Sequence, residues 1–270
     1  MTDLLVKNCL LSKNKDPQDI LIKGGIIRDI ASKITADNIP IIDADFHFVT
    51  PPFVDSHFHM DATLSYGLPR VNKSGTLLEG IKLWGELKPN LTADAIKERA
   101  LKFCRWAIAR GTLAIRSHVD VSGQNLVGVE ALLDVRETMK DFIDIQLVAF
   151  PQDGLLRANC LDNLNTALDM GVDVVGGIPH FERTMEEGHE SIRILCEIAE
   201  KRGLLTDLHC DETDDPMSRH VEKLALETTR LGLTGRVAGS HLTSMHSIDN
   251  YYFTKLISLL VEADLNIIAN

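Results

Sequence analysis

Hydrophobic and polar positions follow two different patterns along this chain. Up to about residue 50 the apolar runs are short, and turn signals at residues 12–16 and at Gly24 and Gly25 separate them. Apolar runs bounded by polar and glycine turns are typical of strands. The predicted strands are Leu4–Leu11, Ile20–Ile22, Ile26–Ile30 and Ile41–Val49. No long helical period occurs here, so residues 1–50 are expected to form a small β domain.

From Phe53 onward, apolar β-branched runs alternate with longer amphipathic segments, the pattern of a mostly parallel sheet in an α/β fold. Thr92–Arg110, with Gly111 as its stop, and Glu190–Arg202 are predicted helices. The predicted strands are Phe53–Phe58, Leu113–Val119, Ile143–Phe150, Val172–Ile178, Leu204–Cys210, Val237–Leu242 and Leu265–Ala269. Seven such steps fit a (β/α) barrel of TIM type over residues 51–270 better than a small doubly wound sheet.

Charge and composition disfavour several classes of partner. The chain has 270 residues, with 28 Lys and Arg against 39 Asp and Glu, and its formal net charge is −11. Nucleic acids and anionic membranes bind through clustered cations, so neither is expected as a partner. Aromatic residues make up only 5% of the chain, which also disfavours a surface on which single-stranded bases stack.

The cysteines and the N-terminus predict the cellular location. The five cysteines contain no C-x-x-C pair, and an odd, unpatterned set is typical of reduced thiols rather than of a secreted disulfide framework. The first ten residues include an acid and a lysine, which makes them unlike a signal peptide. No stretch approaches the roughly 18 apolar residues of a membrane helix. We therefore expect a cytoplasmic protein.

Histidines fall where the predicted strands end, which is where barrel enzymes carry their chemistry. His57 and His59 alternate on the first barrel strand, so both rings project from one face and could bind one divalent ion. The alternative is a pair of surface histidines. His209 ends the fifth barrel strand and could complete a set of three imidazoles. Because histidines recur at the ends of strands one, five and six, the joint pattern favours a metal site.

Three other side chains at strand ends could act on a substrate. Glu212 could shuttle protons as a general acid and base, although it could also belong to a solvated acidic loop. His241 ends the sixth barrel strand and could hydrogen-bond an attacking hydroxide, or it could be an ordinary core histidine. Gln152 carries an amide that suits the edge of a heterocyclic amide such as a pyrimidine, and it could equally bond loop backbone.

Other polar residues near these strand ends are expected to support the site rather than to form it. Asp55 and Asp61 could orient the rings of the pair as hydrogen-bond acceptors. Supporting roles are expected for His118, Asp120 and His180, and ordinary surface positions for His47, His189 and His220. The segment Gly171–Glu190 contains no lysine that could bridge two ions, so one metal ion is predicted. Motifs of serine hydrolases, nucleoside triphosphatases and dinucleotide enzymes are absent from the sequence.

Six segments resemble the bacterial cytosine deaminases, a family of the amidohydrolase superfamily. They are PPFVDSHFHMD, RSHVDV, DIQLVAFPQ, GGIPHFE, DLHCDE and GSHLTSMHS, and the resemblance runs over essentially the whole chain. The segments with FPQ and HCDE are more specific than the H-x-H pair, which many amidohydrolases share. The resemblance implies a (β/α)8 barrel with a small N-terminal β-sandwich unit. It also implies that one Fe²⁺ or Zn²⁺ ion is bound by His57, His59 and His209.

The resemblance implies a reaction as well, the hydrolysis of cytosine to uracil and ammonia. In that reaction a metal-bound hydroxide attacks C4, and Glu212 passes a proton to the ring nitrogen. His241 orients the hydroxide, and Gln152 holds the pyrimidine. Isoguanine, isocytosine or another amino-substituted heterocycle is the alternative substrate, because one sequence does not resolve the shape of a pocket. The sequence does not distinguish iron from zinc either, since imidazole suits both.

The resemblance further implies an aspartate ligand after an eighth barrel strand, downstream of the residues present. The chain reaches the seventh predicted strand, and the strands that would complete the small β domain are also missing. We therefore expect the 270 residues to be a fragment of a longer polypeptide, an incomplete barrel that turns over poorly alone.

Two other functions remain open at this point. A cyclic-amide hydrolase of the same superfamily is disfavoured by the missing lysine and by the pair of His209 and Glu212. A non-catalytic remnant that binds metal or base is favoured by the missing aspartate. The protein could also form a homo-oligomer, although no interface is indicated by the sequence.

Overall fold

The computed structural model describes residues 3–14 and 16–269. The chain divides into two compact units, Met1–Pro52 and Phe53–Asn270. Among the described residues, no helix has both the length and the apolar character needed to cross a membrane.

The first unit contains one mixed sheet. Its strands are β1 (Leu4–Cys9), β2 (Gln18–Lys23), β3 (Ile26–Ala31) and β4 (Ile41–Asp43), in the order β3-β2-β1-β4. β1 pairs antiparallel with β2 and parallel with β4. The last strand is shorter than the predicted run Ile41–Val49. The reason is local, since Asp45 and Phe46 adopt positive φ angles of 45° and 58°, which end the extended backbone.

The second unit is a nearly closed parallel barrel. Its strands are β5 (Phe53–Phe58), β6 (Thr112–Asp120), β7 (Asp144–Phe150), β8 (Val174–Gly177), β9 (Leu205–Cys210), β10 (Val237–His241) and β11 (Asn266–Ile268). They lie side by side in chain order, and every neighbouring pair is parallel. The prediction of seven barrel strands is therefore confirmed, with each boundary within two residues.

Helices follow the strands and cover the outside of this sheet. They are α1 (Leu77–Leu87), α2 (Ala93–Ala109), α3 (Val127–Met139), α4 (Cys160–Asp169), α5 (Met185–Arg202), α6 (His220–Arg230) and α7 (Asn250–Glu262). Their apolar faces join one hydrophobic cluster with the strands. Gly177 lets α5 pack closely, because a Cβ at this position would lie 2.4 Å from Cδ1 of Leu195. All five cysteines are unpaired and buried.

Capping residues set the ends of the two predicted helices. Thr92 accepts a hydrogen bond from the backbone N–H of Ala95 and begins α2, as predicted. The predicted start of α5 at Glu190 was wrong, because the helix begins five residues earlier at Met185, where Thr184 caps it by accepting from the N–H of Glu187. The first turn of α5 is largely polar, so apolar periodicity did not reveal it. Gly203 ends α5 in the left-handed conformation, with φ 69°.

Candidate metal and active site

Four imidazoles meet in the barrel interior at the carboxyl ends of three strands. His57 is on β5, His59 follows that strand directly, His118 is on β6 and His209 is on β9. Nitrogen atoms of all four rings lie within 4.8 Å of one another. The alternation of residues along β5 puts His57 and His59 on one side of the strand, as predicted.

The chemistry of this group fits a divalent metal ion. Nε2 of His59 and Nε2 of His209 lie 3.0 Å apart. Two nitrogens that each bind one ion at 2.0–2.1 Å would be separated by roughly this distance. Three ring nitrogens of this group have no hydrogen-bond partner within residues 3–14 and 16–269. They are Nδ1 and Nε2 of His118 and Nδ1 of His209. Buried polar atoms without partners are costly, and a bound ion would remove part of that cost.

Burial keeps these rings in the neutral form that binds metal. Burial, together with the nearby rings of His118 and His241, lowers the pKa of His57 to about 3. Burial also moves the pKa of His59 and the pKa of His209 well below the usual range for histidine, again with a contribution from His118. A metal-binding imidazole must be deprotonated on the ligating nitrogen. Protonation therefore does not compete with a metal ion at neutral pH.

A carboxyl group and a fifth imidazole lie beside this cluster. Oε2 of Glu212 is 3.8 Å from Nε2 of His241. Burial raises the pKa of Glu212 to about 7, so this carboxyl can both take and give a proton near neutral pH. The backbone of His241 has a φ of 75°, a left-handed conformation that residues other than glycine rarely adopt. Conformations of this kind cluster at functional sites.

Glu212 is held by the residue before it. Asp211 has a φ of 52°, and its buried carboxylate accepts hydrogen bonds from Ser218 Oγ, from Nδ1 and the backbone N–H of His220, and from the backbone N–H of Val221. These contacts tie the loop after β9 to the first turn of α6. The interpretation of His220 as a surface residue was wrong, since His220 is buried, and Asp211 is buried as well. The hydrogen bond between the two side chains explains why both can be buried.

The six predicted site residues line one cavity of about 440 Å³. They are His57, His59, Gln152, His209, Glu212 and His241. Gln152 comes from the loop after β7 and reaches the same space as the imidazoles from the neighbouring side. Phe58, Leu77 and Ile81 supply apolar walls. A few polar groups converging in a partly apolar cavity are the usual form of a small-molecule site.

The two aspartates that flank the histidine pair do not orient its rings. Asp55 accepts from the backbone N–H of His57, and Asp61 accepts from the backbone N–H of Asp120. The hydrogen-bond partner of the His57 ring is instead Ser240, whose Oγ lies 3.1 Å from Nδ1. Local sequence proximity suggested the aspartates, whereas the barrel brings a distant strand to the ring.

Three further histidines and one aspartate named in the sequence analysis lie in different surroundings. His118, expected in a supporting role, belongs to the imidazole group itself, and its position at the end of the second barrel strand was the signal. Asp120 has a supporting role, because it accepts from Trp84 Nε1 and pairs with Lys88. Burial lowers the pKa of His180 to about 4, and the ring lies beyond the end of β8. His47 is exposed, as expected.

Residues 40–270 match the profile of the amidohydrolase family. The chain belongs to this family. The resemblance read from the sequence is therefore confirmed at the family level. A nearly closed barrel with a separate mixed sheet is the fold that this amidohydrolase shares with solved members of the family.

Several relatives of this amidohydrolase have named activities. A solved 5-methylcytosine deaminase from Klebsiella pneumoniae is 40% identical and superimposes with a TM-score of 0.93. The match covers 97% of this chain and 65% of the deaminase chain. An N-isopropylammelide isopropyl amidohydrolase from Pseudomonas sp. (strain ADP) is 34% identical over 252 residues, 88% of this chain and 60% of the relative. A pterin deaminase from Rhizobium rhizogenes is 29% identical over 256 residues, 93% of this chain and 57% of the relative. The chain thus spans less than two thirds of the length of these relatives.

Proposed function

We propose that this protein is a metal-dependent hydrolytic deaminase of a free nucleobase, with cytosine or 5-methylcytosine as its substrate. One observation carries the proposal, the convergence of a buried imidazole group, Glu212 and Gln152 on one cavity. The similarity to a 5-methylcytosine deaminase supports the same reaction class. The products are uracil, or its 5-methyl derivative, and ammonia.

In this proposal His57, His59 and His209 hold one Fe²⁺ or Zn²⁺ ion, and His118 lies in the same group. The bound ion would act as a Lewis acid and lower the pKa of water from 15.7 to about 7. Burial of the rings supports this role, because it keeps their nitrogens deprotonated. Iron and zinc both accept imidazole ligands, so the donor set suits either ion.

Glu212 moves the protons of the reaction. In the ionised form it takes one proton from the attacking water as the oxygen bonds to C4, and it delivers that proton to ring nitrogen N3. The second proton of the water goes to the amino group. The bond between C4 and the amino nitrogen then breaks, and ammonia leaves. A pKa of about 7 suits a group that must be a base in one step and an acid in the next.

His241 and Gln152 orient the reacting partners. His241 lies 3.8 Å from Glu212 and hydrogen-bonds the attacking oxygen, which keeps that oxygen on the side of C4 that faces the carboxylate. Gln152 has an amide that both donates and accepts, so it pairs with the carbonyl and ring N–H edge of the pyrimidine. The apolar walls at Leu77 and Ile81 pack against the ring and exclude water.

The direct test is ammonia release from cytosine and 5-methylcytosine by iron- and zinc-loaded protein. We expect release that a chelator abolishes and that added metal restores. Protein that binds metal and base tightly but releases no ammonia would favour the non-catalytic alternative. Release from a panel of cyclic amides, with none from cytosine, would favour a cyclic-amide hydrolase.

A larger amino-substituted heterocycle is the second candidate substrate, and the shape of the cavity favours testing it. A neighbouring space of about 190 Å³ shares Gln152 and Ile81 with the site cavity, and it shares Asp61 and Trp84 with a further space of about 260 Å³. Room of this kind beside Gln152 suits a second fused ring or an N-alkyl group. Pterin, isoguanine and N-isopropylammelide therefore belong in the substrate panel, together with isocytosine.

Other features of the protein stay predictions from the sequence. They are the cytoplasmic location, the exclusion of nucleic acid and membrane partners, and assembly into a homo-oligomer. Sedimentation of the purified chain measures the last of these.

A further inference from the structure

A chain of hydrogen bonds runs through the barrel interior behind the imidazole group. Nη1 of Arg116 donates to Oδ2 of Asp207 over 2.9 Å, and the hydroxyl of Ser240 donates to Oδ1 of the same carboxylate over 2.8 Å. Oγ of Ser240 lies 3.1 Å from Nδ1 of His57. Asp207 and Ser240 are completely buried, and neither lines the cavity that holds the imidazoles.

The donors and acceptors of this chain can be arranged in one way. A carboxylate paired with a guanidinium is ionised and only accepts hydrogen bonds. The single hydroxyl hydrogen of Ser240 is used on Asp207, so Oγ of Ser240 can only accept from His57. The hydrogen of the neutral His57 ring is therefore on Nδ1. Nε2 of His57 keeps its lone pair, which is what a metal ligand needs.

We propose that Asp207 is a positioning residue that acts through Ser240 to hold His57 in the tautomer whose Nε2 can bind the metal ion. The inference rests on the metal site of the proposed function. Asp207 precedes His209 by two residues on β9, so both side chains point into the barrel. The same strand therefore supplies the ligand His209 and the residue that positions the ligand His57. Groups that orient metal-binding histidines in this way often determine metal affinity.

Asp207→Asn tests tautomer control without changing the shape of the side chain. Arg116 can only donate, so it holds the amide oxygen of the variant, and the amide N–H₂ then faces Ser240. The Ser240 hydroxyl must turn and donate to His57, which moves the ring hydrogen to Nε2. We expect the affinity for Zn²⁺, measured by competition with a chelator, to fall about 10–100-fold.

The double variant distinguishes this relay from a merely structural role. Ser240→Ala removes the hydroxyl, so the His57 ring is no longer held in the Nδ1–H tautomer but is not forced into the Nε2–H tautomer. The loss of Zn²⁺ affinity is therefore expected to be smaller than in Asp207→Asn. When Asp207→Asn is combined with Ser240→Ala, there is no hydroxyl that could turn and donate to His57. The Zn²⁺ affinity should therefore return to that of Ser240→Ala alone. A double variant as weak as Asp207→Asn, or weaker, would overturn the proposal.

Thr206→Val is the matched control on the same strand. Oγ1 of Thr206 is buried and has no hydrogen-bond partner among the residues that the structure describes, so the isosteric valine changes no bond. We expect its Zn²⁺ affinity to equal that of the unmodified protein. A loss as large as that of Asp207→Asn would show that β9 is sensitive to any substitution, and it would overturn the assignment to Asp207.

The tautomer itself can be read without any activity measurement. Correlation of ring protons with nitrogens in metal-free protein labelled with ¹⁵N-histidine shows which nitrogen of each ring is protonated, and the His57 signals are those lost in His57→Gln. We expect Nδ1–H in the unmodified protein and Nε2–H in Asp207→Asn. Nε2–H in the unmodified protein would overturn the proposal even if Asp207→Asn failed to fold. Correct tautomers and Zn²⁺ affinities without ammonia release would contradict the proposed function alone.

Discussion

The Oε2 atom of Glu212 lies 3.8 Å from the Nε2 atom of His241, and both residues line the cavity that contains His57, His59 and His209. Glu212 follows β9 by two residues and His241 ends β10, and these parallel strands pair so that His241 lies opposite Cys210. A carboxyl whose pKa is about 7 is thereby placed beside an imidazole and next to the imidazole group.

Glu212→Gln keeps the size of the side chain and removes its ability to carry a proton. We expect kcat/KM for ammonia release to fall by about 10²–10⁴-fold, the usual contribution of a general acid–base group. Steady-state kinetics on metal-loaded protein measures the effect. The metal content should stay the same as in the unmodified protein. A variant that kept its rate would exclude Glu212 as the proton carrier.

The same carboxyl should make stability depend on pH. Its pKa is raised by burial from 4.5 to about 7, so the folded state binds the proton more tightly than the unfolded state does. The resulting stabilisation is fully present below pH 4.5 and is lost as the pH rises through about 7. Urea unfolding of chelator-treated protein at about pH 4 and about pH 8 measures it. Relative to Glu212→Gln, the unmodified protein should be less stable at the higher pH, and a constant difference would contradict the prediction.

Metal should stabilise the folded chain. An ion that binds the folded state alone raises the free energy of unfolding by about 2.7 kcal/mol at 100 times its Kd. We expect Zn²⁺ to shift the urea midpoint upward and His209→Gln to abolish most of that shift. His189→Gln is the control, because His189 lies on α5 outside the imidazole group. Equal Zn²⁺ stabilisation of both variants would place the metal elsewhere.

Asp211 should matter for both stability and catalysis. Asp211→Ala leaves the donors of Ser218, His220 and Val221 without their shared acceptor, so we expect it to lower the free energy of unfolding by about 3 kcal/mol. Because Glu212 follows directly, kcat should fall as well. The exposed neighbour Asp214 is the control, and Asp214→Ala should change stability by less than about 0.5 kcal/mol. Urea unfolding compares the two, and similar losses would contradict the role of Asp211.

Some of the candidate site was predictable because strand ends in a barrel converge. His57 and His59 lie at the end of one strand that the apolar pattern revealed, His209 lies at the end of a second, and Gln152 follows a third. Residues at the carboxyl ends of parallel strands meet regardless of how far apart they are in the chain. The single cavity that holds the predicted residues follows from this rule.

Other contacts could not be predicted because they join residues with no local relationship. The His57 ring meets Ser240 across 183 positions of sequence, whereas the nearby Asp55 accepts from the backbone N–H of His57. The burial of Asp211 and His220 depends on how the loop after β9 folds, whereas the acidic composition of this loop suggested exposure to solvent.

The sequence by itself determined the family, the seven barrel strands and the residues at their ends, because apolar periodicity and short motifs are local properties of the chain. Only the tertiary structure decided which of those residues touch, which are buried and which pKa values shift. Distances such as the 3.0 Å between His59 and His209 depend on the curvature of the barrel. Burial and charge proximity act through space, and so the chemistry of the site appears only when the strands are assembled.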